Sequence, residues 1–221
     1  MLACENSVYA YNDEIRRGYL SFNGLRIGLG GQAVLKENRI ATLKNFSSLN
    51  LRIVRDVPNC AEKAYHRLGI CNLLVVSPPG AGKTTFLRDY VRQITRHNPW
   101  KNIFVADERN ELLCAQNGTP AFLLNVDYVA NCPKGEAFEN AVRSFNPDVV
   151  VTDEITNEES AFLHKISLEG VTVLASAHAA DAKTYLQKNR DGFFQAYVVL
   201  SKTKRVGTVE GIYDAELNAL C

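Results

Sequence analysis

A short stretch, Val75 to Thr85, places glycine, lysine and threonine where they can hold the phosphates of a nucleotide. Gly80 and Gly82 lack a Cβ, so backbone N–H groups can approach phosphate oxygens closely. Lys83 can reach the β- and γ-phosphates, and the Thr84 hydroxyl can ligate Mg²⁺. The stretch follows an apolar, strand-like run and precedes a helical pattern, which is the context typical of a phosphate-binding P-loop.

The motif departs from the strict pattern G-x-x-x-x-G-K-[ST], because Ser77 occupies the first glycine position. Serine adopts most strand-end conformations, so the change is mild. A chance glycine-rich turn before a helix is the alternative interpretation, and it leaves the Lys-Thr-Thr run and the preceding strand unexplained. We therefore predict that ATP and Mg²⁺ bind here. The predicted ATP-binding residues are Pro79, Gly80, Ala81, Gly82, Lys83, Thr84 and Thr85, and Thr84 is also a predicted magnesium ligand.

A buried strand that ends in two acids predicts the second part of the site. Val149 to Thr152 is a near-continuous apolar run, and Asp153 and Glu154 follow it directly. Ligands lie beyond the carboxyl ends of the strands in open α/β sheets. We predict that Asp153 holds Mg²⁺ through water and that Glu154 orients and deprotonates the attacking water. The alternative is that these acids only cap a following helix.

Further polar side chains follow the neighbouring predicted strands. Glu108 and Arg109 come after the strand Ile103–Asp107, and His178 ends a later strand. We predict that these three residues belong to the catalytic machinery together with Lys83 and Glu154. His178 is expected to form a hydrogen bond to the γ-phosphate region or to Glu154. The alternatives are a solvated loop and a structural histidine.

The pattern from Leu73 onward alternates strand and helix, which predicts an α/β fold with a mostly parallel sheet. The extra strand Ile103–Asp107 between the P-loop helix and the Asp153 strand, and the glutamate after Asp153, favour a RecA-like P-loop ATPase core. Water is the nucleophile in that branch. Small-molecule kinases more often transfer the phosphoryl group to a bound hydroxyl and lack this glutamate.

The first third of the chain predicts a small β-rich α+β domain over residues 1–68, followed by the ATPase domain over residues 69–221. A helix is expected over Val8 to Arg17. Tyr19 to Leu29 predicts a β-hairpin around the turn Asn23-Gly24, the strongest short hairpin signal. Gln32 to Leu43 suggests further short strands.

The composition limits the class of protein. The chain has 221 residues, 46% of them hydrophobic, and a net charge of +1, so a dedicated nucleic-acid binder is disfavoured. Its six cysteines occur singly without a C-x-x-C pair, which favours reduced thiols over a zinc site. No apolar run approaches the roughly 18–20 residues that span a bilayer.

Several stretches resemble the stage III sporulation protein AA family, which is itself similar to type II and type IV secretion ATPases. The Asn45-to-Arg52 stretch discriminates best, because general RecA-type proteins lack it. The matching stretches are Gly18 to Leu20, Arg26 to Gly31, Lys44 to Ile53, Pro78 to Asp89, Asp107 to Glu111, Asn131 to Lys134, Arg143 to Phe145, Pro147 to Ile155 and Gly170 to His178.

The resemblance implies a cytoplasmic ATPase of the mother cell, peripheral at the membrane. It implies a hexameric ring that works with membrane proteins of the channel built by the other stage III sporulation A-operon products. Asp107 to Glu111 matches the aspartate box of secretion ATPases, and His178 matches the histidine box. Family members usually carry more chain before the part matching Met1, so the N-terminal domain is expected to be short. Thr156 stands where the family often has glycine.

Four arginines are candidates for completing the site of a neighbouring subunit, because a RecA-type site is open on the γ-phosphate side. They are Arg26, Arg52, Arg55 and Arg143. The resemblance favours Arg26 and Arg52. The alternative is that these arginines lie on solvated faces of a strand or helix.

Three functions remain open from sequence. The first is a secretion-like assembly ATPase. The second is a nucleic-acid-stimulated ATPase of helicase type, against which the near-neutral charge and the lack of interleaved aromatic and basic residues argue. The third is a nucleotide-binding scaffold with negligible turnover.

Overall fold

The computed structural model describes residues 9–22, 25–115, 119–122, 125–188 and 192–220. The chain divides into two compact units, one of residues 1–55 with 114–121 and one of residues 56–113 with 122–221. The helix Glu62–Leu68 belongs to the second unit. The domain boundary expected between residues 68 and 69 stays a prediction.

The first unit is a small sheet with one short helix. Its elements are a 3₁₀ turn (Tyr9–Tyr11), α1 (Asn12–Arg16), β1 (Tyr19–Phe22), β2 (Leu25–Lys36) and β3 (Arg39–Ile53). The three strands form an antiparallel sheet in the order β1-β2-β3. Ile15 on α1 and Leu20 on β1 are both buried and form a small core.

The expected short strands over Gln32 to Leu43 are one long hairpin instead. β2 and β3 are joined at Glu37 and Asn38, with φ of 51° and 60°. Positive φ at both positions of a two-residue loop suits the right-handed twist of the paired strands, so β2 and β3 form one hairpin. Its register shifts between Gly30 and Gln32 and between Val34 and Leu35. The predicted turn Asn23-Gly24 and Val8 lie outside the described residues.

The second unit alternates strands and helices along the chain. Its elements are α2 (Glu62–Leu68), β4 (Leu73–Ser77), α3 (Lys83–His97), β5 (Ile103–Asp107), β6 (Asp127–Ala130), α4 (Lys134–Asn140), a π-helical segment (Ala141–Phe145), β7 (Val149–Thr152), α5 (Asn157–Leu168), β8 (Thr172–His178), α6 (Ala182–Lys188), β9 (Ala196–Leu200) and β10 (Val209–Asp214). The strands form a seven-stranded sheet in the order β10-β9-β4-β8-β7-β5-β6. All neighbouring strands pair in parallel except β9 and β10.

The core of this unit lies against strands that are buried on both faces, as apolar runs in parallel sheets predict. β4, β5, β7 and β9 contain only buried residues. Leu74, Phe104, Val150 and Val173 pack in one cluster with side chains from the helices, including Phe138. These strands therefore give the loops at their carboxyl ends a rigid base.

Two details differ from the sequence expectations. Helix α3 begins at Lys83 rather than Phe86, because Gly82 turns left-handed there and lets the first turn form earlier. Strand β6 was not predicted, since Asp127 is exposed and the strand lies at the sheet edge, so no buried apolar run marks it.

Candidate active site

The P-loop connects β4 to α3 through two left-handed glycines. Gly80 has φ of 78° and Gly82, the N-cap of α3, has φ of 97°. A Cβ on Gly82 would lie 3.4 Å from the backbone of Gly207, and Gly207 N–H donates to Ala81 O at 2.9 Å. The left-handed conformation favours glycine at position 82, and the β9–β10 connection holds the loop through the Gly207 hydrogen bond.

Lys83 is buried at the start of α3, with 5% of its surface exposed. Its Nζ lies 2.8 Å from His178 Nδ1 and 3.4 Å from Ser77 O. These atoms meet because β4 and β8 are neighbours and Ser77 pairs with His178 in the register. Burial lowers the pKa of Lys83, and the carboxylates of Asp153 and Glu154 oppose that effect.

A hydroxyl and a carboxylate meet where magnesium is predicted. Thr84 Oγ1 donates to Asp153 Oδ2 at 2.6 Å, and Ser176 Oγ donates to Asp153 Oδ1. Mg²⁺ prefers oxygen ligands, takes few from the protein and keeps its remaining positions for water and phosphate. The Thr84 and Asp153 oxygens fit that requirement.

Glu154 lies just beyond β7, and both of its carboxylate oxygens have partners. His178 Nε2 is 2.9 Å from Oε1, and Arg109 Nη1 donates to Oε2 at 2.7 Å. Burial raises the pKa of Glu154, but the charge of Arg109, together with His178 and Lys83, outweighs burial and holds the pKa below its usual range. Glu154 is therefore ionised at neutral pH.

The hydrogen bonds of His178 fix which nitrogen carries its proton. The Lys83 ammonium has donors only, so Nδ1 must accept from it. Nε2 must then carry the hydrogen that is donated to Glu154 Oε1. His178 thus links the P-loop lysine to the carboxylate beyond β7, and it does so from β8, which lies between β4 and β7 in the sheet.

The loop after β5 is fastened from both sides. Asp107 is buried and accepts from the N–H groups of Glu111 (2.8 Å) and Leu113 (2.9 Å). Burial raises its pKa to about 7, and the nearby Asp153 charge adds to the increase. Arg88 on the P-loop helix donates to the carbonyls of Leu112 and Glu111, each at 2.8 Å. The same loop contains Arg109 and positions it for its contact with Glu154.

A cleft lies at the carboxyl ends of β5 and β7, and Asp107, Asp153 and Glu154 are among the residues that line it. Glu108 and Arg109 both line the cleft, and of these two only Arg109 has a described contact with Glu154. Their catalytic role stays a prediction. The lining residues are Ala106, Asp107, Glu108, Arg109, Glu111, Lys134, Asp153 and Glu154.

The four arginines predicted to act on a neighbouring subunit lie elsewhere in the chain. Arg26 and Arg52 are directly opposite each other on β2 and β3, and the Arg26 guanidinium stacks over the Tyr19 ring at 4.0 Å. Arg55 is exposed at the end of the first unit, and Arg143 is exposed on the π-helical segment. Their role in trans stays a prediction.

Sequence reasoning missed three contributors to this arrangement: Ser176, Arg88 and Lys134. Ser176 lies two residues before His178 on the same strand, so alternation along β8 was the available signal. Arg88 is on the face of α3 that a helical pattern assigns to the core, and it is fully buried. Lys134 ends the Asn131-to-Lys134 stretch, where no spacing indicates its contact with Glu154.

Comparison with known proteins identifies the family. The family model described as "Sporulation stage III, protein AA" matches residues 2–220. The chain belongs to this family. Stage III sporulation protein AA of Bacillus subtilis (strain 168) is 32% identical over 232 aligned residues, which cover 97% of this chain and 75% of that protein. The resemblance predicted from the Asn45-to-Arg52 stretch and the other motifs is confirmed.

Solved structures share the fold of this family member at low identity. They are the VirB11 ATPase of the Brucella suis type IV secretion system (TM-score 0.55, 13% identity, 70% of this chain and 52% of that chain), the Legionella pneumophila ATPase DotB (0.56, 12%, 82% and 53%) and the pilus retraction motor PilT with bound ADP (0.52, 15%, 79% and 54%). The predicted α/β fold with a RecA-like ATPase core is confirmed. This chain spans about half the length of those structures.

Proposed function

We propose that this family member is a Mg²⁺-dependent ATPase that drives a secretion-like assembly during sporulation. The observation that carries the proposal is the position of Glu154, which lies between Arg109 and His178 and follows Asp153, the partner of Thr84 in the P-loop helix. Under this proposal, the phosphate loop, the magnesium ligands and the carboxylate that directs water all lie at one end of the sheet. Family membership and the fold support the same conclusion.

The P-loop residues Pro79 to Thr85 would bind the phosphates through backbone N–H groups and the N-terminus of α3. Lys83 has three N–H donors, of which two face His178 and Ser77. The third is left for a β- or γ-phosphate oxygen. Lys83 can thus bind ATP while it keeps its contact with His178.

Thr84 and Asp153 would hold Mg²⁺. When bound, the ion neutralises charge on the β- and γ-phosphates during transfer. The neighbouring residues of the chain would orient the attacking water and form the wall of the cleft. An ionised carboxylate offers about four acceptor positions, so Glu154 can accept from a water in addition to Arg109 and His178. Its low pKa keeps it ionised and ready to orient that water. Glu108 and Arg109 would shape the side of the cleft that faces it.

At the level of the cell, we propose a homo-oligomeric ring, a hexamer, at the cytoplasmic face of the mother-cell membrane. Its partners would be the membrane proteins of the channel encoded with it, the stage III sporulation A-operon products. Among the described residues, no helix is long and apolar enough to cross a membrane. We propose that association with the membrane runs through those partners and that the activity needs no nucleic acid.

Turnover measurements test the proposed function directly. We expect the purified chain to hydrolyse ATP with Mg²⁺, to stop when EDTA removes the ion, and to change rate by less than about twofold when single-stranded DNA or RNA is added. Strong stimulation by nucleic acid would favour a helicase-type ATPase instead. ATP binding without turnover would favour a nucleotide-dependent scaffold.

Mixing two inactive variants tests whether an arginine acts in trans. Arginine suits this role because its planar fork binds phosphate oxygens bidentately and stays charged. An arginine supplied in trans is worth roughly 10³–10⁵ in rate in GTPases. We expect the specific activity of the wild type to rise with protein concentration as rings form. We also expect a mixture of Arg52→Ala and Lys83→Ala subunits to recover part of the wild-type activity, because a mixed interface pairs one intact arginine with one intact P-loop.

The control for this mixture is each variant alone, together with native mass spectrometry that verifies mixed rings. Arg26→Ala, Arg55→Ala and Arg143→Ala mixed with Lys83→Ala identify which candidate acts. Turnover that is independent of concentration in a verified monomer, or no recovery in verified mixed rings for any candidate, contradicts the trans arrangement.

A further inference from the structure

Lys134, the first residue of α4, is a buried cation beside the cleft. Its side chain is 7% exposed. Nζ donates to the backbone carbonyl of Glu154 at 2.7 Å and lies 3.5 Å from Glu159 Oε2. Burying an ammonium is unfavourable unless it is paired and hydrogen-bonded, so the position of this lysine is set by those two partners.

The carbonyl that Lys134 binds belongs to a residue in an unusual backbone conformation. Glu154 has φ of 50°, in the left-handed region, which is unfavourable for a residue other than glycine. Its N–H donates to Ser176 Oγ at 3.1 Å. The backbone of Glu154 is therefore held at its N–H by Ser176 and at its carbonyl by Lys134. The second contact is the stronger type, because the donor is charged.

The chain before Lys134 explains how the side chain reaches this carbonyl. Asn131 turns left-handed with φ of 58°, and its N–H donates to Asp107 O at 3.2 Å, which ties the β6–α4 connection to the end of β5. Pro133 follows and fixes the entry into α4. Lys134 thus lies beside the carboxyl ends of β5 and β7.

Glu159 connects Lys134 to the first turn of α5. Glu159 Oε2 accepts from Thr156 N–H at 2.7 Å in a capping box. The turn from Glu154 to Thr156 therefore has Lys134 at one end and the α5 cap at the other. Loss of Lys134 would free the carbonyl of Glu154 while the cap stays in place.

We propose that Lys134 is a positioning residue for Glu154. It holds the left-handed backbone so that the carboxylate stays between Arg109 and His178 and in line with the attacking water. This inference rests on the proposed function, since the position of Glu154 matters only if that carboxylate directs water. Lys134 does not touch the nucleotide in this role, so it acts on turnover and leaves ATP binding unchanged.

Steady-state kinetics of Lys134→Met test the proposal, with Lys183→Met as the matched control because Lys183 is exposed on α6. We expect kcat to fall about 10- to 100-fold, because a displacement near 1 Å of a catalytic group has effects of that size. KM for ATP and the affinity for a non-hydrolysable ATP analogue should stay within about twofold. Lys134→Arg, which keeps a charged donor, should recover part of kcat. Lys134→Gln carries the same expectation as Lys134→Met if the methionine variant does not fold.

A double variant separates positioning from a general structural role. In the Glu154→Gln background, Lys134→Met should lower the residual rate by less than about twofold, because residues that act as a unit are not additive. Three results would overturn the proposal: fully additive effects in the double variant, an unchanged kcat for Lys134→Met, or a loss that appears in KM instead of kcat. If the wild-type chain hydrolyses ATP in the same assay, the proposed ATPase function is unaffected by these results. A wild-type chain without turnover overturns the proposed function and this inference together.

Discussion

Glu154→Gln is expected to keep ATP and Mg²⁺ bound and to lower the hydrolysis rate by about 10²–10⁴-fold, the usual contribution of a positioned general base. The amide keeps the shape of the side chain but cannot take the proton of the water. The amide also replaces one carboxylate oxygen with an NH₂ group, which cannot accept a hydrogen bond. In the wild type, Arg109 contacts one oxygen and His178 contacts the other. One of these two contacts must therefore be lost, which adds to the effect. Single-turnover hydrolysis and calorimetric ATP binding measure the two parts separately.

The matched control for this prediction is Glu158→Gln, because Glu158 is exposed in the first turn of α5, four residues along the chain. That variant should hydrolyse ATP at the wild-type rate. A Glu154→Gln rate within a few-fold of wild type would mean that another group directs the water. Weak ATP binding by Glu154→Gln would instead mean that the carboxylate organises the P-loop through His178 and Lys83.

The sheet of the second unit could be predicted from sequence because its strands carry their own signal. Runs such as Val149–Thr152 are apolar throughout, which is typical of strands buried on both faces. The spacing of the P-loop glycines and Lys83 likewise predicts phosphate binding from sequence. What sequence order does not carry is which strands become neighbours. β8 lies between β4 and β7, and that placement brings His178 to both Lys83 and Glu154.

The contacts that were missed share one physical reason. Ser176, Arg88 and Lys134 act by hydrogen bonds to backbone or carboxylate atoms far away in the chain, and such partners leave no periodic pattern. A buried arginine or lysine also looks like a surface residue in sequence, because most are exposed. The edge strand β6 could not be predicted from sequence for a different reason, because it lacks the buried apolar run that marks the central strands.

Lys83→Ala is expected to weaken ATP binding about 10- to 150-fold, the range that corresponds to the roughly 1.5–3 kcal/mol of a hydrogen bond to a charged group. The ammonium is the P-loop's own cation for the β- and γ-phosphates. Hydrolysis should fall below detection, because the substitution also removes the donor to His178 Nδ1 and so releases the ring that contacts Glu154. Calorimetry with a non-hydrolysable ATP analogue and a turnover assay measure the two effects.

Lys165→Ala is the control for the loss of one positive charge, because Lys165 is exposed on α5. It should bind ATP as the wild type does. Burial already lowers the pKa of Lys83, so alanine removes a partly disfavoured charge and the fold should tolerate the change. Comparable thermal unfolding of the two alanine variants would verify this. Near-wild-type affinity in a folded Lys83→Ala variant would contradict the P-loop assignment itself, because no other residue of the loop supplies a charge to the phosphates.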